Sequence, residues 1–167
     1  MTRVAAGFFG CTVSQADGEE ALAGLAAAGL EPVTTRDAAD VVVVHTCCVT
    51  AEAERKSRRM VRRAASEGKR VVVAGCAAAL RPEQFAGEGI TVAARPDWAA
   101  AAAELAGEGR RPPEAVFPLA TDPDGSSPAA RATPGARTRL VLKVQDGCAG
   151  ACTYCVVRLV RGRPRSV

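Results

Sequence analysis

The stretch Val41-Val42-Val43-Val44-His45-Thr46 decides the fold. Four consecutive β-branched side chains offer water no polar face, so a strand made of them is buried on both sides, as strands of parallel sheets are. The same kind of run recurs outward from it, at Val4 to Phe9, ended by Gly10, and at Arg70 to Ala74, followed by Gly75-Cys76. Helical stretches lie between these runs. Asp17 starts one over Gly18 to Ala28, with Gly29 as its stop. Thr50 caps another, which carries Glu52 and Glu54 in its first turn and arginines later, reaches Glu67 and ends at Gly68. That order of charges suits a helix dipole. Leu30 to Thr34 reads as a weaker strand, Ile90 to Ala93 as a fifth, and Asp97 caps an alanine-rich helix from Trp98 to Ala106. Strands alternating with helices predict an α/β fold with an open, mostly parallel sheet.

The remaining composition sets bounds. A chain of 167 residues makes one domain and a piece of a second. With 48% hydrophobic and 24% charged residues it is not disordered, collagenous or a coiled coil. The longest uncharged run, Val4 to Ala16, has 13 residues, short of the roughly 18 that span a bilayer. The apolar part before Cys11 lies at the bottom edge of a signal core, so a cytoplasmic chain with no membrane partner is expected. From Gly107 to Ala136 the character changes, with six of the ten prolines between Pro112 and Pro134. Strand periodicity resumes at Thr138 to Val144. Three segments are therefore expected: an α/β domain over residues 1–106, a Pro/Gly-rich linker over 107–137, and an unfinished second unit over 138–167. From Arg137 to the end there are seven basic residues and one acidic, against 15 and 17 in the rest, a bias that suits a polyanionic partner.

Seven cysteines carry the chemistry. Cys148, Cys152 and Cys155 form C-x3-C-x2-C in a Gly/Ala loop. Three thiolates at this spacing can wrap one face of a cubane iron–sulfur cluster and leave one iron open. A closed zinc site wants four protein ligands, and His45 is the sole histidine; disulfides are disfavoured by tight spacing and an odd total. Cys11, Cys47 and Cys76 each stand just past a predicted parallel strand, 36 and 29 residues apart. The C-terminal ends of such strands converge on one edge, so the three can meet there and hold a second cluster. The plainer alternative is that each is a small buried hydrophobe. Spacing alone leaves Cys47 and Cys48 as equal candidates. The helix after Thr50 carries Arg55, Lys56, Arg58, Arg59, Arg62 and Arg63, either a solvated surface or a phosphate-contacting face.

Taken together, Gly10-Cys11, His45-Thr46-Cys47, Gly75-Cys76 and the triplet Cys148, Cys152, Cys155 resemble the methylthiotransferases, radical S-adenosylmethionine enzymes with two 4Fe–4S clusters. Val49-Thr50, the run Arg55 to Arg63, Lys143 to Cys148 and Arg161-Gly162-Arg163-Pro164-Arg165-Ser166 look like the branch acting on tRNA N6-threonylcarbamoyladenosine. Branches acting on isopentenyladenosine tRNA or on a ribosomal protein usually read differently after the second cysteine. The sequence departs from the usual pattern at Thr12, Ser14, His45, Arg158 and Leu159.

The resemblance implies roles. One cluster would sit on Cys11, Cys47 and Cys76, which favours Cys47 over Cys48, and would present the sulfur that is inserted. The other, on Cys148, Cys152 and Cys155, would bind S-adenosyl-L-methionine at its open iron, with Tyr154 near the adenine. Cleavage of the sulfonium by an electron from a reducing donor would give a deoxyadenosyl radical. That radical would take hydrogen from C2 of the anticodon-loop adenosine of tRNA, and a second S-adenosylmethionine would supply the methyl group. A barrel of something like 200 further residues is expected for such chemistry, so the chain alone is expected to lack turnover. An iron–sulfur electron carrier and a zinc-dependent nucleic-acid-binding module are the other classes the cysteines permit.

Overall fold

The computed structural model describes residues 2–93, 101, 105 and 143–166. Its first part is a five-stranded, wholly parallel sheet in the order β2-β1-β3-β4-β5, made of β1 (Arg3–Phe8), β2 (Glu31–Pro32), β3 (Val41–Thr46), β4 (Arg70–Gly75) and β5 (Ile90–Val92). The expected open parallel α/β sheet is borne out. All six residues of β3 are buried, as the valine run requires.

Successive valines point to opposite faces and build two cores. Val42, Val44, Val71 and Val73 pack with Val61, Ala64 and Phe85 on one face. Val41, Val43 and Val72 pack with Val4, Leu25, Leu30 and Leu105 on the other. The first face is covered by α2 (Ala51–Ser66) and the short α3 (Cys76–Leu80); the second is covered by α1 (Thr12–Ala27). Ala101 and Leu105 are also helical; the rest of the expected 98–106 helix, and the whole expected linker, lie outside the described residues.

Boundaries differ where packing overrides local signals. Helix α1 begins at Thr12, immediately after Cys11, rather than at Gly18. Gly18 is an interior residue whose missing side chain makes room for the Phe8 ring, so it marks close helix–strand approach and not a helix start. Strand β2 shrinks to two residues at the sheet edge, and α3, which the sequence did not announce, starts directly at Cys76. Of the strand expected over 138–144, residues 138–142 lie outside the described set, and Lys143 and Val144 are not in a strand. A short antiparallel pair forms instead between β6 (Gln145–Asp146) and β7 (Arg165–Ser166), with α4 (Val157–Arg161) between them.

Candidate metal centre

Chain direction reverses its winding between β1 and β3, since β1 has β2 on one side and β3 on the other. Such a switch point opens a crevice beyond the carboxyl ends of the strands. Cys11 follows β1, Cys47 follows β3, and Cys76 follows β4, so the sheet delivers all three to the same edge. Cys47 is 1% exposed, Cys76 is 8% exposed, and Cys11 is open to solvent.

Backbone geometry holds these positions. Gly10 has φ +123°, and a side chain there would overlap Cβ and Sγ of Cys47, so the turn after β1 presses directly on that cysteine. Gly75 has φ +96°, and a Cβ on it would collide with the Thr46 backbone and with Cε1 of His45 at 2.9 Å. Thr46, fully buried, donates from Oγ1 to the Ala74 carbonyl (2.7 Å) and accepts from the Ala78 amide (3.1 Å). Its hydroxyl thus caps α3 from the neighbouring strand and fixes Cys76 in the first turn. Ser14 Oγ lies 3.0 Å from His45 Nδ1 and donates to the Phe9 carbonyl at 3.3 Å. The short Ser14–His45 contact gives the buried imidazole a hydrogen-bond partner at Nδ1. Burial lowers the His45 pKa, and the cations Arg161 and Lys143 add to this while Asp17 opposes it.

The thiols sense one another. Burial raises the Cys76 pKa, the charge and hydrogen bonding of Arg161 pull it down, and Cys47 and Cys11 push it up. Cys48, half-buried beside them, is pushed up to about 11, first by burial and then by Cys76 and Cys47. Cys11 and Cys47 are therefore both close enough to act on the Cys76 thiol. Among the described residues no three His, Cys, Asp or Glu side chains already share the coordination sphere of a single ion. A mononuclear zinc site draws its thiolates to ~2.3 Å of one ion, whereas a cubane spreads its ligands over separate irons. A soft, all-thiol donor set at a crevice suits either a zinc ion or an iron–sulfur cluster.

The second triad lies in the loop between β6 and α4. Gly150 sits between two of its sulfurs: a Cβ there would lie 3.3 Å from Cys148 Sγ and 3.8 Å from Cys152 Sγ. The Gly150 amide donates to Cys148 Sγ at 3.3 Å, and the Cys155 amide to the Cys152 carbonyl at 3.1 Å. Cys152 and Cys155 are exposed, and Tyr154 is 90% exposed beside them. The loop is closed at its base, where Cys148 N–H donates to Gly162 O (3.1 Å) and Asp146 accepts from Gly147 N–H, Arg161 and Arg165.

Residue types and spacing did not reveal what ties this loop to the sheet. Lys143 Nζ donates to Asp17 Oδ1 (2.7 Å) and Glu20 Oε2 (3.2 Å) on α1, and Arg161 bridges Asp17 and Asp146. Burial raises the Asp17 pKa, but the hydrogen bonds and charges of Arg161 and Lys143 outweigh it and hold the carboxyl below its usual range. The only sequence signal was the cluster of cations after Arg137, which does not say which of them are buried.

Elsewhere, α2 presents Arg55, Arg58, Arg59, Arg62 and Arg63 along an open groove that ends at Ser66. Arg55 and Lys56 pair with Glu52, Arg58 with Glu54, and Arg63 with Glu67. No helix among the described residues is long and apolar enough to cross a membrane.

Comparison with known proteins matches residues 3–94 to a family described as "Uncharacterized protein family UPF0004". A Pyrococcus horikoshii protein named "Probable threonylcarbamoyladenosine tRNA methylthiotransferase" is 27% identical over 184 residues, covering 97% of this chain and 38% of the relative. The ribosomal protein uS12 methylthiotransferase of Thermus thermophilus is 32% identical over 171 residues, covering 99% of this chain and 37% of the relative. That of Burkholderia multivorans is 33% identical over 157 residues, covering 92% and 34%. The chain thus spans under two fifths of the length of these curated relatives. With the matched region taking in the whole sheet and all three of its edge cysteines, the chain belongs to uncharacterized protein family UPF0004, and the relatives it aligns with are methylthiotransferases.

Proposed function

We propose that the chain serves in a methylthiotransferase that places a methylthio group at C2 of N6-threonylcarbamoyladenosine, next to the anticodon of tRNA, in the cytoplasm. The observation that carries this reading is the delivery of Cys11, Cys47 and Cys76 to one edge of a parallel sheet, with a second cysteine triad on a loop clamped to the same domain. In this reading 4Fe–4S clusters bound by the two triads supply a transferable sulfur at one site and reductive cleavage of S-adenosyl-L-methionine at the other.

The chain's own residues have separate tasks. Gly10 and Gly75 let the chain turn sharply just ahead of Cys11 and Cys76, and the missing side chain of Gly10 leaves room for Cys47 at the crevice. Thr46 and Ser14 remove the unmet hydrogen-bonding demand of the buried edge, and His45 stays neutral there. Three cysteines per site leave a coordination position for something that is not protein: the sulfur at the edge, and the amine and carboxylate of S-adenosylmethionine at the loop. Tyr154, exposed beside Cys155, is free to stack on an adenine. Arg59 and Arg62, exposed on α2, suit contact with the phosphates of the tRNA.

A second reading keeps the chemistry and changes the substrate to ribosomal protein uS12. It is favoured by the higher identity to relatives of that name, 32–33% against 27%. Two measurements test these readings. Anaerobic reconstitution should give about eight irons and eight sulfides per chain, the content of two cubanes; zinc without sulfide would overturn the radical mechanism. Nucleoside analysis of tRNA and intact mass of uS12 from a strain lacking the gene should show loss of the methylthio group from the tRNA, and loss from uS12 instead would favour the second reading.

A further inference from the structure

Segment 143–166 holds two largely buried cations, Arg161 and Lys143, with side chains 12% and 14% exposed. A guanidinium leaves water only where carboxylates replace the lost hydration, and its planar fork suits two of them at once. Arg161 has two, on different elements. Nη1 donates to Asp146 Oδ1 at 2.9 Å, at the base of the Cys148–Cys155 loop, and Nη2 donates to Asp17 Oδ2 on α1. The helix bearing Arg161 packs on α3 and buries Val160, and α3 begins with Cys76, so the guanidinium is carried on the element that covers that cysteine and its charge lowers the thiol pKa against the rise from burial. Asp146 in turn receives Arg165 at 3.3 Å and the Gly147 amide at 3.0 Å, so the loop base is rigid where the clamp grips it.

We propose that Arg161 is a positioning residue coupling the two cysteine triads: it clamps the Cys148–Cys155 loop to the sheet edge through Asp146 and Asp17, and sets a fixed positive charge beside the group that Cys76 holds. The proposal rests on the cluster reading above. A cluster gains negative charge when reduced, so a cation fixed beside it favours the reduced state and raises the midpoint potential. Loss of the charge lowers the midpoint, and loss of the clamp frees the loop.

The test uses the 167-residue chain with Cys148, Cys152 and Cys155 changed to serine, leaving one triad to load. After anaerobic reconstitution, a redox titration followed by electron paramagnetic resonance gives the midpoint for the parent, R161Q and R161K. The midpoint should fall in R161Q and stay near the parent value in R161K, which keeps the charge without the fork. Amide exchange in the unloaded chain with all seven cysteines kept, alone and carrying each substitution, gives the second readout. The Cys148 and Gly162 amides should exchange at least about tenfold faster in R161Q than in the parent. D17A, which removes one side of the clamp and leaves Arg161 in place, should speed the same amides and covers the case in which R161Q does not fold. An unchanged midpoint in R161Q overturns the proposal whatever the exchange shows; so do unchanged exchange rates in R161Q and D17A. If the parent loads no cluster, the cluster reading is what has failed, and the exchange rates still decide the clamp.

Discussion

At the scale of single residues, the edge of the sheet turns on Gly10 and on which of two adjacent cysteines faces it. A Cβ at Gly10 would strike Cys47 and would have to adopt φ +123°, which L-residues avoid. G10A should therefore destabilise the fold by about 1–3 kcal/mol, read as a lower urea midpoint at unchanged slope. Reactivity of Cys47 toward a thiol reagent should rise in the same variant, because the contact that buries it is displaced. Spacing alone could not choose between Cys47 and Cys48, since both follow β3, and only the family resemblance favoured Cys47. They differ in packing: Cys47 is 1% exposed beneath Gly10, while Cys48 lies partly open against the α2 side of the core. Under the cluster reading, C47A should lose about half of the reconstituted iron and C48A should keep all of it. The reverse result would move the ligand to Cys48.

At the scale of elements, α2 shows how far local signals reach. Thr50 was legible as a cap, and its Oγ1 accepts from Ala53 N–H at 3.2 Å. T50A should cost about 1 kcal/mol, visible as a lower thermal midpoint, while T50S should retain most of it. The inward face was only partly legible. Ala53, Val61 and Ala64 are buried and Met60 and Ala65 partly so, an apolar stripe at helical spacing, but the polar Glu54 and Ser57 are buried with them. Glu54 is tolerable there because Arg58 lies 2.8 Å away and Arg81, from the far end of α3, 3.5 Å away. A helical wheel contains no Arg81, and so no reason to place a carboxylate inside. The early start of α1 has a similar origin, since the demand for a glycine at position 18 comes from Phe8 on a strand.

At the scale of the whole molecule, periodicity revealed the sheet and the common edge of its cysteines, because valine runs and strand ends are local properties that parallel topology then gathers. Contacts between the C-terminal segment and α1 were invisible for the opposite reason: Lys143 and Arg161 meet Asp17 across 126 and 144 residues. The start of β1 is held by a similar long-range pair. Arg3, opening β1, donates from its backbone amide at 2.9 Å and from its side chain at 2.9 and 3.2 Å to Asp40, just ahead of β3. These hydrogen bonds from Arg3, side chain first and backbone second, lower the Asp40 pKa from 3.8 to about 2. A carboxyl whose folded pKa is depressed adds stability above its unfolded pKa and loses it as pH falls through the folded one. The contribution of Asp40 should thus be complete above about pH 4 and fade toward pH 2. Urea midpoints of the parent and D40N, measured across this range, should differ by a constant amount near neutrality and converge between these limits. A gap that persists unchanged down to the lower limit would show that the D40N substitution costs stability for a reason other than charge. Carboxylate titration of Asp40 followed by nuclear magnetic resonance gives the same answer independently, with a midpoint near 2 if Arg3 grips it as the structure describes.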